Sequence, residues 1–208
     1  MTTEIDICNK TILRLGGNMV STVSGLVVDL TPDSLEAKLC LLNYALVRDI
    51  VTEDRVWSFA LSKVVLDTPD IIKPVFGFDN RFPKPTDALN IWRVHYDNFN
   101  SPWVAGMSEV LEDWRVEGAF ILANAGIINV EYVRRMDQVG DIDLFTSQFI
   151  DSFSLRLAVE FAIPLTENEK LFASLAGEYE KRKTDAYAIN GSQAKHESFR
   201  STELTRVR

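Results

Sequence analysis

The chain has 208 residues, of which 46% are hydrophobic and 25% charged, and this balance predicts an ordinary soluble globular protein with one domain, or one domain carrying an insertion. The formal net charge of -8 disfavours nonspecific nucleic-acid binding, because surfaces that bind phosphates need clustered lysine and arginine. No apolar run approaches the roughly 20 residues that span a bilayer, and the opening residues do not read as a signal peptide, so we expect a cytosol-like compartment of synthesis.

The chain opens with a predicted helix over residues 5–15, which ends at a pair of glycines, Gly16 and Gly17. Glycine readily takes the left-handed conformation of a helix C-cap. A phosphate-binding loop is the alternative, but no strand precedes the pair and no Lys-Ser or Lys-Thr follows it. We therefore interpret the glycines as a helix stop. The predicted buried face of this helix consists of Ile5, Cys8, Ile12 and Leu15.

A second predicted helix, over residues 31–54, has the best-marked start in the sequence. Thr31 can cap the first turn. Pro32 would occupy the first helical position, where the backbone N–H has no partner within the helix and its absence costs little. A leucine stripe recurs every three or four residues, so we expect it to be the buried face. The stripe consists of Leu35, Leu39, Leu42, Leu46 and Ile50.

The middle of the chain, residues 57–137, is predicted to be a β insertion. Apolar residues alternate from Trp57 onward, which indicates an extended segment over 57–66 with Trp57 in the core. Four prolines favour an irregular connection over 68–85, and 89–96 is a predicted strand with Trp92 mostly in the core. Two β-rich runs, 114–124 and 127–136, are separated by Asn-Ala-Gly, which predicts a hairpin.

Two further helices are predicted, over residues 141–163 and 166–188. Pro164 should stop the first, and Thr166 should cap the second through a T-x-x-E box with Glu169. The short link predicts antiparallel packing. The apolar face of the first helix consists of Phe145, Phe149, Phe153, Leu157 and Phe161. That of the second consists of Leu171, Leu175, Tyr179 and Lys183.

Together these elements predict an α+β fold: an antiparallel helical bundle with an inserted small antiparallel β-sheet in one domain, residues 1–189, and an extended C-terminal arm, residues 190–208. The arm lacks a periodic apolar face, so it cannot repay its own ordering entropy. Its apolar and basic residues alternate like anchors that fold on an acidic partner, and a dangling tail is the alternative. These anchors are Phe199, Arg200, Leu204, Arg206, Val207 and Arg208.

No stretch offers the parts of an active site, so we predict a protein that is not an enzyme and has no catalytic, cofactor or metal site. The two histidines, His95 and His196, lack metal-ligand spacing, and Cys8 and Cys40 are interpreted as buried thiols. A two-carboxylate hydrolase is the alternative, with Glu109, Glu112 and Asp113 as an acidic cluster.

Trp103, in a polar loop, either packs into the core or is available to contact a partner.

Several segments carry a family resemblance. An opening helix reads IDICNxxILRLGG, followed by DSLEAKLCxxxYxxVRD and WSFAL. Residues 118–122, the pair Tyr132-Val133, residues 145–158 and an LTxxE helix start follow in order. Over about residues 4–188 this order resembles the tail tubular protein A family, the head-to-tail adaptors of short-tailed bacteriophages. One departure is Arg55-Val56, where the family usually has histidine or proline.

The resemblance implies a structural virion protein made in the host cytoplasm, with no membrane partner. Copies would form a homo-oligomeric ring, dodecameric in the family, between the portal protein and the tail nozzle protein, and DNA would pass through the lumen without specific binding. The arm would reach the portal. A ring needs two complementary faces on each subunit. Candidate intersubunit residues are Arg48, Asp49, Arg156 and Glu160, and the alternative for them is solvated charges or pairs within one chain.

Overall fold

The α+β class is confirmed by the computed structural model, which describes residues 2–16, 35–96 and 113–192. The described chain has four α-helices, a 3₁₀ turn at Asp141–Leu144 and two three-stranded antiparallel sheets. The helices are α1 (Glu4–Arg14), α2 (Leu35–Glu53), α3 (Ser147–Thr166) and α4 (Glu169–Ser192). The strands are β1 (Leu61–Leu66), β2 (Asn80–Pro83), β3 (Ala88–Tyr96), β4 (Trp114–Glu117), β5 (Phe120–Ala123) and β6 (Ile128–Arg134).

Helix α1 begins one residue earlier than predicted because Thr3 caps it. The Thr3 hydroxyl accepts the Asp6 N–H at 3.2 Å, and the Asp6 carboxylate accepts the Thr3 N–H at 2.8 Å. The helix stop at Gly16 is confirmed, since Gly16 has φ +68°. The predicted caps of α2, Thr31 and Pro32, lie outside the described residues, as does Gly17.

The core of the helical body is built on α3, whose predicted phenylalanine face is confirmed. Phe149, Phe153 and Phe161 are completely buried, and the Phe149 ring centroid lies 5.1 Å from that of Trp57 and 4.6 Å from that of Phe145. The indole N–H of Trp57 donates to the Val51 carbonyl at 2.9 Å, which satisfies the polar atom of this buried ring. Trp57 therefore joins the end of α2 to α3.

The predicted buried face of α2 is wrong. Leu35, Leu42 and Leu46 are exposed, and Leu39 is only partly buried. The side facing the helical body consists instead of smaller residues, namely Ala37, Cys40, Val47 and Val51. Their spacings of three, seven and four residues also follow the helical period, so the same period fits both sides of the helix. Small side chains permit closer packing of helices, which is the physical reason that this side is the inner one.

The junction of α3 and α4 differs from the prediction in two details. Pro164 lies inside α3, which continues to Thr166, because a proline so near the helix end removes only one hydrogen bond. The Thr166 hydroxyl donates to the Ala162 carbonyl at 2.6 Å and does not start α4. Instead, the side-chain oxygen of Asn168 accepts the N–H groups of Lys170 and Leu171, both at 3.1 Å.

Helices α3 and α4 pack antiparallel, as predicted. The Arg156 guanidinium lies 5.8 Å from the Tyr179 ring centroid, whereas Asp151, earlier in α3, lies 3.8 Å from Arg182, later in α4. Leu175 and Tyr179 are buried on the α4 face that was predicted to point inward. The Tyr179 hydroxyl also donates to Asp54 at 2.7 Å, which ties α4 to the end of α2.

The β region forms two sheets, so the single predicted sheet is corrected. One sheet has the order β1-β6-β3, with Val130 of β6 opposite both Val64 and Val94, and the other has the order β2-β5-β4. The predicted hairpin between 114–124 and 127–136 is wrong, because β5 and β6 belong to different sheets. The hairpin joins β4 to β5 through Gly118, whose φ is +58°. Residues 124–127 carry the chain between the sheets.

Two further corrections concern local structure in this region. Residues 58–60 form a turn, in which the N–H groups of Ala60 and Leu61 both donate to the Trp57 carbonyl, so the strand starts only at Leu61. The connection predicted as irregular contains β2, which was missed because its prolines dominated the pattern. Trp92 is 38% exposed with the Arg93 guanidinium 4.0 Å from its ring centroid, so it is not a core residue.

Candidate functional site

An exposed leucine stripe on α2 is the candidate interaction surface. Leu35, Leu42 and Leu46 are 52%, 76% and 59% exposed, and they share one side of the helix because they are one to three turns apart. Leu41 is also 50% exposed, but it lies about 100° around the helix from Leu42. The inner residue Ala37 is rotated by about 200° from Leu35 at 3.6 residues per turn. Thus α2 presents a small-residue face to the protein and a large apolar face outward.

Exposed apolar side chains that adjoin one another are typical of surfaces that bind another molecule, whereas isolated exposed leucines are common. The three leucines lie within about three turns of one regular helix, so their relative positions are fixed before any partner arrives. We name Leu35, Leu42 and Leu46 the α2 leucine surface. The sequence analysis had recognised all three residues, but it assigned them to the core of the chain's own fold.

Two predicted intersubunit residues, Arg48 and Asp49, form a pair within the chain. The Arg48 guanidinium lies 2.9 Å from Asp49, and Asp49 also binds Arg135 at 3.1 Å. Arg48 is only 8% exposed, so the Asp49 carboxylate compensates a positive charge that is mostly buried. The network joins α2 to the residue after β6. It matches the alternative of an intrachain pair, and an additional intersubunit role stays a prediction.

The other two candidates, Arg156 and Glu160, also pair within one chain. They lie one turn apart on α3 with 2.7 Å between the guanidinium and the carboxylate, and Arg156 faces the ring of Tyr179. Both side chains keep part of their surface in solvent, with exposures of 27% and 39%. An exposed pair at this spacing contributes little to stability, about 0.5 kcal/mol, so both charges stay available to a second molecule.

Several predicted site residues lie outside the described part of the chain. They are Trp103, Glu109, Glu112, His196 and the arm residues Phe199, Arg200, Leu204, Arg206, Val207 and Arg208. Asp113, the described member of the acidic cluster, is exposed. His95 of β3 lies beside Glu131, with 3.7 Å between Nε2 and the carboxylate. Among the residues that the structure describes, no three histidine, cysteine or carboxylate side chains are grouped to hold a metal ion.

A charge cluster centred on Asp151 was missed by the sequence analysis. The Asp151 carboxylate of α3 binds Lys10 at 2.8 Å and Arg14 of α1 by a short contact, and lies 3.8 Å from Arg182 of α4. Burial by itself would raise the pKa of the Asp151 carboxyl, but the surrounding cations lower it below its ordinary value. The cluster therefore holds both α1 and α4 against α3. No sequence spacing could reveal it, because its members come from three separate helices.

Acid should weaken this cluster. Because the pKa of Asp151 is lowered in the folded protein, its contribution to stability is present above the unfolded pKa of about 4 and is lost as the pH falls through the lower folded value. We expect Asp151→Asn to reduce the free energy of unfolding at pH 7 by about 1 kcal/mol and to have a progressively smaller effect below pH 4. Urea unfolding of both proteins from pH 7 to pH 2.5 measures this difference. The exposed Asp67→Asn is the control, and a difference that grew on acidification would contradict the prediction.

A surface cavity of about 420 Å³ lies between the start of α1, Tyr44 and Arg48 of α2, and residues 136–145. Its described lining has carboxylates at Glu4, Asp137 and Asp143 and one guanidinium, but it has no histidine, cysteine or lysine. Carboxylates are the residue type that a two-carboxylate hydrolase uses, so the hydrolase alternative stays a prediction.

The comparisons with known proteins identify no family for this chain. Within the described ranges, no helix combines the length and the apolar composition that crossing a membrane requires. Neither the protein-family models nor the curated proteins gave a match to this sequence.

Proposed function

We propose that the protein is a structural head-to-tail adaptor of a short-tailed bacteriophage, which forms a ring of identical subunits between the portal and the tail nozzle. The segments that resemble the tail tubular protein A family support this proposal, and the α2 leucine surface is the observation that carries it. In such a ring the DNA passes through the lumen. The net charge of -8 would help it to slide, because an acidic surface repels phosphates.

The leucine surface fits one of the two faces that a closed ring needs. Each copy must present one face to the preceding subunit and a different, complementary face to the next. Leu42 and Leu46, which are 76% and 59% exposed, would become buried against the neighbouring copy. Complete burial of a leucine contributes about 1.5–3 kcal/mol, so two of them provide a large part of the free energy that closes one contact. Arg156 and Glu160 would lie on the polar part of the interface.

The test removes the apolar character of this surface. We expect Leu42→Glu combined with Leu46→Glu to weaken ring formation by roughly 100-fold or more, because both leucines lose their burial and the new carboxylates would be desolvated. Size-exclusion chromatography with light scattering, with and without portal protein, measures the assembly, and negative-stain images show the rings. The melting temperature should stay close to that of the unmodified protein, since neither side chain belongs to the core.

The matched control is Ile71→Glu combined with Ile72→Glu, which changes two apolar residues that are 98% and 65% exposed and lie away from α2. This control should assemble normally. The proposal fails if the leucine variant forms rings as readily as the unmodified protein, or if the unmodified protein stays monomeric in the presence of portal.

The C-terminal arm completes the proposal. Its basic and apolar residues suit an acidic groove, and in an adaptor ring that groove would belong to the portal. The proposed location of the protein is accordingly the head-to-tail junction of the virion, reached after synthesis in the bacterial cytoplasm.

A further inference from the structure

Two free thiols meet where α1 and α2 approach each other. Cys8 of α1 and Cys40 of α2 are 3% and 1% exposed, and both belong to the core of the helical body. Their side chains are hydrogen-bonded to each other. Two cysteines on different helices that are hydrogen-bonded to each other and line one cavity meet the first requirement for a disulfide, namely that their side chains lie close together.

A small opening leads to this thiol pair. Both cysteines line a cavity of about 210 Å³ together with Glu4, Tyr44 and Leu41. Since Leu41 is half exposed, the cavity reaches the protein surface. Its volume is several times that of a water molecule, so a small polar oxidant can reach the sulfur atoms without unfolding of the helices.

The two thiols are not equivalent. The hydrogen bond from Cys8 lowers the pKa of Cys40, although burial opposes this effect. The same hydrogen bond and burial both raise the pKa of Cys8. Cys40 is therefore the first to become a thiolate, which is the nucleophilic form, and Cys8 keeps its proton.

We propose that Cys8 and Cys40 form an oxidation site at which a hydroperoxide produces a disulfide between α1 and α2. The Cys40 thiolate attacks the peroxide oxygen and breaks the O–O bond, which gives a sulfenic acid and, with a proton, one water molecule. The Cys8 sulfur then attacks the sulfenic sulfur, loses its proton and displaces a second water. Two thiols and one hydrogen peroxide thus give one disulfide and two waters, with sulfur oxidised and peroxide reduced.

The test uses the full-length folded protein, which is reduced, freed of reductant, treated with excess hydrogen peroxide, and then unfolded and alkylated. We expect most chains to take up no alkylating agent and to lose the mass of two hydrogen atoms, and proteolysis should give a linked pair of peptides containing Cys8 and Cys40. A dithiol reductant should restore two alkylated cysteines. The product should be a monomer in denaturing, non-reducing electrophoresis.

Single variants test whether the two thiols act together. Either alanine removes the hydrogen bond between the thiols and the partner for the link. In Cys8→Ala and in Cys40→Ala we therefore expect the remaining cysteine to react with peroxide at least about tenfold more slowly than the link forms in the unmodified protein, and to give a sulfenic acid that dimedone traps. Alanine preserves the apolar character of both positions, and circular dichroism checks that each variant is folded. The proposal is overturned if both thiols of the folded protein remain alkylatable after peroxide, if single sulfenic or sulfinic acids accumulate without a link, or if the links join different chains.

Discussion

Phe149→Ala should lower the free energy of unfolding by about 3–5 kcal/mol, which is the usual cost of removing a fully buried aromatic ring. The Phe149 side chain is completely buried, and its ring lies in edge contact with Trp57 and Phe59 at centroid distances of 5.1 and 5.0 Å. Aromatic pairs of this geometry stabilise the folded state beyond the contribution of the buried apolar area. The truncation leaves a cavity at the junction of α2, α3 and the turn before β1, where little can collapse to fill it.

Urea unfolding followed by far-UV circular dichroism measures this loss. Phe172→Ala is the matched control: it makes the same chemical change on α4 at a side chain that is 39% exposed, and it should cost about 1 kcal/mol or less. Equal losses for the two variants would mean that Phe149 does not lie in a closed aromatic cluster.

Asp141→Ala should reduce stability by about 2–4 kcal/mol, because it leaves a mostly buried guanidinium without its partner. The Asp141 carboxylate accepts hydrogen bonds from Arg134 at 2.7 and 3.3 Å and from the Gln138 N–H at 2.9 Å. The side chains of Arg134 and Asp141 are only 17% and 9% exposed. The hydrogen bond to Asp141 raises the pKa of Arg134, so this charge persists at every practical pH.

A double variant tests whether the uncompensated charge causes the loss. Arg134→Met combined with Asp141→Leu should lose less stability than Asp141→Ala alone, since no uncompensated charge remains. Glu117→Ala is the control, because its contact with Arg115 is long, at 3.5 Å, and both side chains are more than half exposed. If Asp141→Ala were as mild as Glu117→Ala, the buried pair would have no structural role.

The buried face was predicted well in α3 and poorly in α2. Helix α3 is buried on more than one side, so any large apolar stripe on it lies in the core, and periodicity identified Phe149 and Phe153 correctly. In α2 both sides are apolar, and large leucines outweighed the smaller Ala37 and Cys40 in the sequence pattern. Packing selects the face that fits closely, and that depends on the neighbouring helices, which a local pattern does not contain.

The strands and charge clusters illustrate a second reason why the sequence did not predict the whole fold: their partners are far apart in the chain. Strand residues were recognised in β3 and β6, but their partners were not, because pairing depends on segments that are far apart in the chain. The β5 and β6 runs looked like one hairpin, although each pairs in a different sheet. The Asp151 cluster likewise joins α1, α3 and α4, and its existence follows from their packing.

The alternation of the strands between the two sheets has a consequence for how the protein is made. The central strand of the β1-β6-β3 sheet is β6, which is the last of the described strands to be synthesised. Neither edge strand can therefore find its partner until residue 134 has left the ribosome, and β2 waits for β5 in the same way. The β1-β6-β3 sheet must therefore wait until the end of this region has been synthesised, whereas β4 and β2 can pair with β5 earlier. Because both sheets depend on contacts between distant segments, we expect them to fold more slowly than the helices.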